Sequence, residues 1–442
     1  MESGAHKVED GGSSSELAKG FQSVNSTNSG RRLGLRWSGA IVLLGLMTDN
    51  SGRDQNTEPA RSMEDGGLEQ KPVFTIAIMA VAILIFAWQN LISTTLVDNL
   101  VPNGVEIYVG RWDALISSNF VHGDLLHIGF NLCWIWMLGK VLEAQLSRAQ
   151  YLILFFSCAV FSSAVELAFT GQVGVGLSGV VYGWAGFMWF AGHRFPVFRN
   201  VLTKKLAHFL LGWLILCFVL THFQILNVAN GGHVGGLVAG SAIGLAIVRS
   251  ASVTFFACCA LWLLTAASLL YAPWSSTFLA SRIIVYIEKQ DAEKTLVALK
   301  QISSMDGDLR IWAHMVAGQM FESRRELQTV TQIYEQGLPF SYDDPDYLNN
   351  YAWFLATTPN AAIRQGEKAV RLATWAAEKT DWGNFYILDT LAAAYAAKGD
   401  FDSAITWQSK VVDAEPEDAD ILSRLKLYKA GKPFVNIEGE AD

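Results

Sequence analysis

Cysteine is scarce in this chain, and the spacings that would indicate a disulfide framework or a zinc site are missing. Five cysteines occur among 442 residues, and each lies within an apolar run: Cys133, Cys158, Cys217, Cys258 and Cys259. Cysteines in such surroundings are typical small core residues. The sequence therefore predicts neither disulfide bonds nor a bound metal, and it indicates no organic cofactor.

The chain has too small an excess of one charge to indicate a class of binding partner. The formal net charge of −8 is the sum of two acidic ends and a nearly apolar middle. Because binding of a nucleic acid needs a basic patch, we expect no nucleic acid among the partners. Lysine and arginine are absent from two connections between apolar runs, residues 171–176 and 226–232.

Apolar sequence dominates instead. Hydrophobic residues make up 51% of the chain, and the mean hydropathy is +0.26. Most of them fall into runs that are long enough to cross a bilayer: 72–93, 125–145, 150–170, 177–192, 206–225, 233–249 and 253–273. The sequence predicts an all-α, polytopic membrane bundle. Six and seven spans both remain open, because the last run follows its predecessor closely.

Positive charge indicates the orientation of these runs. Cytoplasmic connections are enriched in lysine and arginine, and such residues occur in alternate connections: Lys140 and Arg148, then Arg194, Arg199, Lys204 and Lys205, then Arg249. We therefore expect a cytoplasmic amino terminus. The starts of the runs that carry Ser178 and His233 would then both face the outside.

The predicted organisation has four parts. Residues 1–70 are rich in Ser, Gly and Asn and are interpreted as a disordered segment. A membrane core follows at 71–250, then a further apolar helix at 251–275, and a soluble helical domain at 282–435. Within the core, residues 95–124 are amphipathic and are expected at the membrane interface rather than across it.

The soluble part contains an internal repeat. At an offset of about 34 to 35 residues, the pattern of the tetratricopeptide repeat matches these positions: Trp353 with Leu388, Ala369 with Ala404, Ala376 with Val411, and Tyr395, Gly399 and Pro416 in the later copy. Residues 345–418 resemble that repeat family. The resemblance implies stacked helix pairs that bind a protein partner, and a passive stabilising cap is the alternative.

Two motifs carry the residues of nucleophilic catalysis. Ser178 lies between Gly176 and Gly179 at the start of an apolar run, and Tyr182 follows one turn later on the same face. His233 begins another apolar run. A serine and a histidine are the minimum for a nucleophile with its general base.

Two further polar residues are expected at the same depth in the membrane as Ser178 and His233. His127 and Asn131 are four residues apart, so they share one helical face near the predicted outer end of their run. Polar side chains within a membrane are costly and are therefore functional candidates. Three separate runs thus direct polar groups toward one pocket in the outer half of the membrane.

In this order and spacing, the motifs resemble the rhomboid intramembrane serine proteases over residues 73–250. The matching stretches are His127-x-x-x-Asn131, Gly176-Leu177-Ser178-Gly179 with Tyr182, and His233-x-x-Gly236-x-x-x-Gly240. The resemblance implies a multi-pass protein of the bacterial inner membrane. It also implies that the substrates are transmembrane proteins, cut in or near their membrane segments.

The resemblance also implies the role of each residue. Ser178 would be the nucleophile and His233 the base and then the acid, without a third carboxylate, while Tyr182 would orient the imidazole. His127, Asn131 and the Ser178 backbone N–H would stabilise the oxyanion, with Leu177 in support.

Other polar residues receive weaker assignments. His122 is either an interfacial residue without a task or a neighbour of the substrate pocket. Glu143 would brace a helix end and the first loop. Glu166 matches no motif and is expected to face the aqueous cavity.

Glycine explains how the two catalytic runs could approach each other. Small residues allow membrane helices to pack closely, and glycines recur along both runs: Gly179, Gly183 and Gly186 on one, Gly232, Gly236, Gly240 and Gly244 on the other. Helix packing without chemistry would use the same pattern. In the catalytic interpretation, close packing brings Ser178 to His233.

Two other functions compete with a protease. The first is a catalytically silent rhomboid-like protein that binds client helices and uses its repeats as a scaffold. The second is a transporter, which is disfavoured because few charges lie in the middle of the runs and no inverted repeat is visible.

Overall fold

The structure, a computed structural model, describes residues 71–305 and 307–436. Within these ranges the chain forms α-helices and two short 3-10 helices, Ser118–Phe120 and Leu338–Phe340, without any strand. The all-α prediction is confirmed. The predicted disordered segment 1–70 lies outside the described residues.

The membrane part of the described chain contains long apolar helices joined by short ones. In chain order they are α1 (Val73–Leu91), α2 (Thr95–Leu100), α3 (Gly104–Tyr108), α4 (Ala114–Ser117), α5 (Leu125–Gln145), α6 (Arg148–Thr170), α7 (Ser178–Ala191), α8 (Val197–Val201), α9 (Lys204–His222), α10 (Asn230–Arg249) and α11 (Ala251–Leu270).

Six helices of the described chain are long and apolar enough to cross a membrane, namely α1, α5, α6, α9, α10 and α11. The fourth predicted run, 177–192, is the exception, because it forms the shorter helix α7. Helix α7 has 14 residues, or about 21 Å at about 1.5 Å per residue, which is shorter than a hydrocarbon core of about 30 Å. Since 11 of these residues are buried, protein rather than lipid surrounds α7.

The last apolar helix runs alongside α6. Trp262 Nε1 donates a hydrogen bond to Ser157 Oγ (3.3 Å) near the middle of both helices, and Trp274 Nε1 donates to Ala168 O (2.8 Å) at the end of α6. Helix α11 therefore ends at the same level as α6. The connections 92–124, 171–177, 223–229 and 271–275 lie on one side of the bundle, which we call the Ser178 side.

The C-terminal part of the described chain is a series of helices that pack in adjacent pairs. They are α12 (Ser276–Glu288), α13 (Ala292–Ser303), α14 (Leu309–Ser323), α15 (Leu327–Gly337), α16 (Pro345–Thr357), α17 (Gly366–Lys379), α18 (Phe385–Lys398), α19 (Phe401–Ala414) and α20 (Ala419–Lys429). The first of them, α12, begins at Ser276, which precedes the predicted start of the helical domain at residue 282.

The repeat positions lie inside these pairs. Ala369, Ala376 and Ala404 are fully buried, and Val411 nearly so. Gly399 ends α18 with a positive φ of 91°, the left-handed conformation that favours glycine at a helix C-terminus. Small residues at these sites let neighbouring helices approach closely, as stacked helix pairs require.

The helical domain docks on the Ser178 side of the membrane bundle. One buried apolar cluster joins the first loop, the end of α6 and helix α12. Within it the rings of Tyr108 and Phe278 meet edge to face with centroids 5.4 Å apart. The domain is therefore packed onto the membrane part. Of the segment 95–124, residues 102–108 and 114–115 are buried within the protein, whereas Trp112 and residues 95–100 keep exposed surface.

Two glycines make this docking possible. Gly171, with φ of 76°, ends α6, and a Cβ there would lie 2.1 Å from Thr277 Oγ1. A Cβ at Gly104 would lie 1.8 Å from Gly171 O and 2.8 Å from Thr277 Cγ2. The first loop, the end of α6 and the start of α12 thus meet where no larger side chain fits.

The cysteines differ in their surroundings. All five are free; Cys158 and Cys217 are buried, Cys258 and Cys259 are partly buried, and Cys133 is exposed on α5. The expected core position is therefore found for Cys158 and Cys217 only. The other three cysteines lie on α5 and α11, which each have an outward-facing surface.

We predict that Gly104→Ala loosens the helical domain, since its Cβ would overlap Gly171 O. Such overpacking costs about 1–3 kcal/mol. Limited proteolysis of the connection 271–275 and thermal unfolding should report the change. Gly123→Ala in the same loop is the matched control, because nothing lies within 4 Å of its Cβ position. Equal protease resistance of the two variants would contradict the docking.

We also predict that the helical domain and Ser178 face the same side of the membrane. Protease added to intact cells or right-side-out vesicles should then digest a C-terminal tag, because the charge pattern places the Ser178 side outside. Digestion only after lysis would contradict this topology.

Candidate active site

Helices α7 and α10 pack backbone against backbone. A Cβ at Gly236 would lie 1.9 Å from Gly179 O, and a Cβ at Gly240 would lie 1.7 Å from Gly183 O. Real Cβ atoms do not approach carbonyl oxygens so closely, so these positions require glycine. The glycine stripe of the sequence is therefore the contact surface between the two helices.

This packing brings the predicted serine and histidine together. Ser178 is the first residue of α7, and His233 lies in the first turn of α10. Ser178 Oγ and His233 Nε2 are 2.7 Å apart, a normal hydrogen-bond distance. The two groups thus have the contact that proton transfer from a serine hydroxyl requires.

The histidine is enclosed. Its side chain is 5% exposed, and within the described residues its Nδ1 has no hydrogen-bond partner. The carboxylate that orients histidine in a triad therefore has no counterpart here. Orientation must come from packing.

Tyr182 supplies part of that packing. Its ring contacts the His233 ring with centroids 4.8 Å apart and an interplanar angle of 38°, so the rings are tilted rather than stacked flat. The Tyr182 hydroxyl donates a hydrogen bond to Leu210 O (3.1 Å) on α9. Tyr182 thus links the imidazole to a third helix.

His127 and Asn131 lie beside the turn that leads into Ser178. The Cβ position of Gly176 is 2.6 Å from His127 Nε2 and 3.5 Å from Asn131 Nδ2. Gly176 has φ of 99°, so both its conformation and its surroundings require glycine. Two polar side chains therefore border the backbone two residues before the serine.

Hydrogen bonds near the start of α5 hold His127 and Asn131 in position. The Asp124 carboxylate accepts the His127 N–H (2.8 Å), and Asn131 Nδ2 donates to His127 O (2.9 Å). The predicted partner Leu177 is fully buried at the N-cap of α7. The N–H of Gly176 donates to Ser118 O (3.2 Å), which ties the turn to the first loop.

His122 lies next to these residues. It is fully buried, and its ring meets the His127 ring edge to face with centroids 5.0 Å apart. Its Nδ1 is 3.2 Å from Phe120 O. Of the two interpretations of His122, the structure favours the neighbour of the pocket.

The polar residues with weak motifs occupy defined positions. Glu143 accepts hydrogen bonds from the backbone N–H groups of Phe74 and Thr75, both at 2.8 Å. It therefore braces the start of α1 and not the first loop, because α5 ends beside the first turn of α1. Glu166 is 6% exposed and accepts the Gly232 N–H at 2.7 Å.

A small polar pocket lies behind the serine. Residues from α6 and the first loop line it together with the predicted pair: Asn119, Ser162, Ser163, Glu166, Ser178 and His233. The sequence motifs did not reveal Asn119, Ser162 and Ser163. The signal for Ser162 and Ser163 was a pair of hydroxyl groups within an apolar run, a pattern that also occurs in helices whose serines bond their own backbone. Asn119 lies in the first loop and had no such signal.

Metal ligation has no candidate in the described part of the chain. No group of three or more His, Cys, Asp or Glu side chains there has the arrangement of a metal site.

Comparison with known proteins finds similarity over the membrane part of the chain. Residues 109–250 match the family model of the rhomboid domain. The rhomboid protease GlpG of Serratia proteamaculans (strain 568) is 36% identical over 173 residues, which cover 38% of this chain and 59% of that protein. GlpG of Enterobacter sp. (strain 638) is 32% identical over 182 residues, covering 40% and 64%.

A third relative has higher identity over a shorter stretch. GlpG of Yersinia pseudotuberculosis serotype I (strain IP32953) is 40% identical over 136 residues, covering 30% of this chain and 46% of that protein. The chain thus spans less than two thirds of the length of these relatives. The findings support the rhomboid family for the membrane part. Together with the apolar helices, they identify a multi-pass integral membrane protein of the bacterial inner membrane.

We predict that Gly236→Ala separates α7 and α10, because the added Cβ would overlap Gly179 O. The overlap should lower the free energy of unfolding by about 1–3 kcal/mol. Thermal unfolding in detergent measures the loss. Gly212→Ala on α9 is the matched control, since nothing lies within 4 Å of its Cβ position. An equally stable Gly236→Ala variant would contradict the close approach.

Proposed function

We propose that this chain is an intramembrane serine endopeptidase that cleaves peptide bonds in or near transmembrane segments of membrane proteins. The observation that carries the proposal is the 2.7 Å contact between Ser178 Oγ and His233 Nε2. The similarity to rhomboid proteases supports a protease, and this contact supplies the chemistry.

The reaction follows from the dyad. His233 Nε2 takes the proton of the Ser178 hydroxyl as Oγ attacks the substrate carbonyl carbon, which forms a tetrahedral oxyanion. The protonated imidazole then donates its proton to the departing amine, and the C–N bond breaks to leave an acyl ester on Ser178. Water, deprotonated by His233, attacks the ester and releases the carboxylic acid, so that serine and neutral histidine are restored.

The oxyanion needs donors that are fixed before the reaction. In this proposal His127 Nε2, Asn131 Nδ2 and the Ser178 N–H serve as the donors. Their positions support the role, because the first two border Gly176 and the third lies at a helix N-terminus. A helix N-terminus favours negative charge. One donor of this kind lowers the barrier by about 3–4 kcal/mol.

The substrate class follows from the position of the serine. A peptide bond inside an intact helix is shielded, so a spanning substrate must unwind near the cut. Small or helix-breaking residues there would favour cleavage. Substrates with such residues near the Ser178 side of their membrane segment fit the site best.

The alternative is a catalytically silent rhomboid-like protein that binds client helices. Such a protein has no need of a hydroxyl and an imidazole in contact. Since Ser178 and His233 retain that contact, the protease is the better supported function.

For the helical domain, we propose a tetratricopeptide-like fold that binds a protein segment. Its exposed aromatic residues support this role: the rings of Tyr342 and Trp375 meet with centroids 5.6 Å apart, and both side chains are more than 40% exposed. Aromatic residues at surfaces often mark binding sites. Because the domain docks on the Ser178 side, its partner would be on that side too. A passive cap would bind nothing.

We predict that Ser178→Ala and His233→Ala each lower cleavage of a spanning peptide in proteoliposomes to about a thousandth of wild type or less, as loss of a nucleophile or its base does. Gel analysis of the products measures the rate. His208→Ala on α9 is the control histidine and should retain activity. Equal cleavage by wild type and Ser178→Ala would contradict the proposal.

A further inference from the structure

The helix that carries His233 lacks a cap of its own. Its N-cap residue, Ala229, makes no side-chain cap bond, and the two residues before His233 are Gly231 and Gly232. Free N–H groups at a helix start need acceptors, and glycine weakens a helix relative to alanine. The first turn of α10 is therefore intrinsically weak.

A carboxylate from another helix completes this turn. Glu166 Oε2 accepts the Gly232 N–H at 2.7 Å. A Cβ at Gly231 would lie 2.8 Å from the same oxygen, so glycine at this position admits the carboxylate. Negative groups at a helix N-terminus are stabilising, and bonds from backbone N–H groups to a carboxylate are strong.

The position of Glu166 connects both halves of the dyad. Its helix, α6, leads through the connection 171–177 directly into Ser178. Its carboxylate holds the residue next to His233. The glutamate thus ties the start of α10 to the element that precedes the serine.

We propose that Glu166 is a positioning residue, whose carboxylate caps α10 and thereby fixes the height and rotation of His233 relative to Ser178. The inference rests on the proposed protease function and deepens it. It does not require Glu166 to touch the substrate.

The membrane part offers a matched control. Glu143 has the same chemistry toward α1, a helix without proposed catalytic residues, since its carboxylate accepts the N–H groups of Phe74 and Thr75 at the start of that helix. Glu166→Leu and Glu143→Leu each remove a cap contributed by a neighbouring helix. Glu166→Gln keeps an oxygen acceptor of the same reach.

The test compares these three variants with wild type by steady-state cleavage of a spanning peptide and by thermal unfolding. Glu166→Leu should lower kcat about tenfold or more with KM nearly unchanged, because misplacement of a catalytic group reduces the rate and not binding. Glu166→Gln should recover most of the loss. Glu143→Leu should lose stability but keep kcat per folded molecule.

Hydrogen exchange provides a readout that is independent of catalysis. Exchange of the backbone amides at 231–234 should accelerate in Glu166→Leu and stay unchanged in Glu143→Leu. Unchanged exchange, or an equal loss of kcat in both leucine variants, would overturn the positioning role. If wild type itself fails to cleave the peptide, the proposed function fails, while hydrogen exchange still decides whether Glu166 caps α10.

Discussion

The direct approach of two helix backbones is the constraint on which the rest of the membrane part depends. Because Gly236 and Gly240 leave no side chain between α10 and the carbonyl groups of α7, Ser178 and His233 can share a hydrogen bond at 2.7 Å. Helices in lipid gain stability from such packing, since apolar contact alone does not distinguish protein from lipid. The same contacts that hold the bundle together therefore also build the site.

The positions of Ser178 and His233 depend on contacts that other residues make with α7 and α10. Helix α7 is too short to cross the membrane and is enclosed by protein, and the N-cap residue of α10, Ala229, makes no side-chain cap bond. Contacts between elements therefore supply what these helices lack: Tyr182 of α7 contacts the imidazole on α10, Glu166 of α6 accepts the Gly232 N–H, and Ser118 of the first loop holds the turn at Gly176. Polar groups are costly in a membrane, and each of these makes a defined contact.

The helical domain also packs directly against the elements that lead to Ser178. Its first helix, α12, packs against the first loop and the end of α6, and Thr277 fills the space that Gly104 and Gly171 leave open. The connection 171–177 starts at that contact and ends at Ser178. A partner bound to the domain would thus act on a surface that is continuous with the outer wall of the site.

The sequence predicted the helical bundle, the apolar runs and the residues of the candidate dyad, because spans and glycine motifs leave strong local patterns. The roles of those residues stay predictions. The tilt of the Tyr182 ring, the cap by Glu166 and the docking of α12 depend on contacts between distant residues, for which single positions carry no signal. Glu143 illustrates this limit, since its bonds reach the start of α1 and not the first loop.

The most direct measurement of the central claim is the site of covalent labelling by a fluorophosphonate probe, determined by mass spectrometry of the protein in detergent. A serine activated by contact with His233 predicts a single adduct on Ser178 that disappears in His233→Ala. An adduct on another serine, or labelling of Ser178 that persists without His233, would contradict the account.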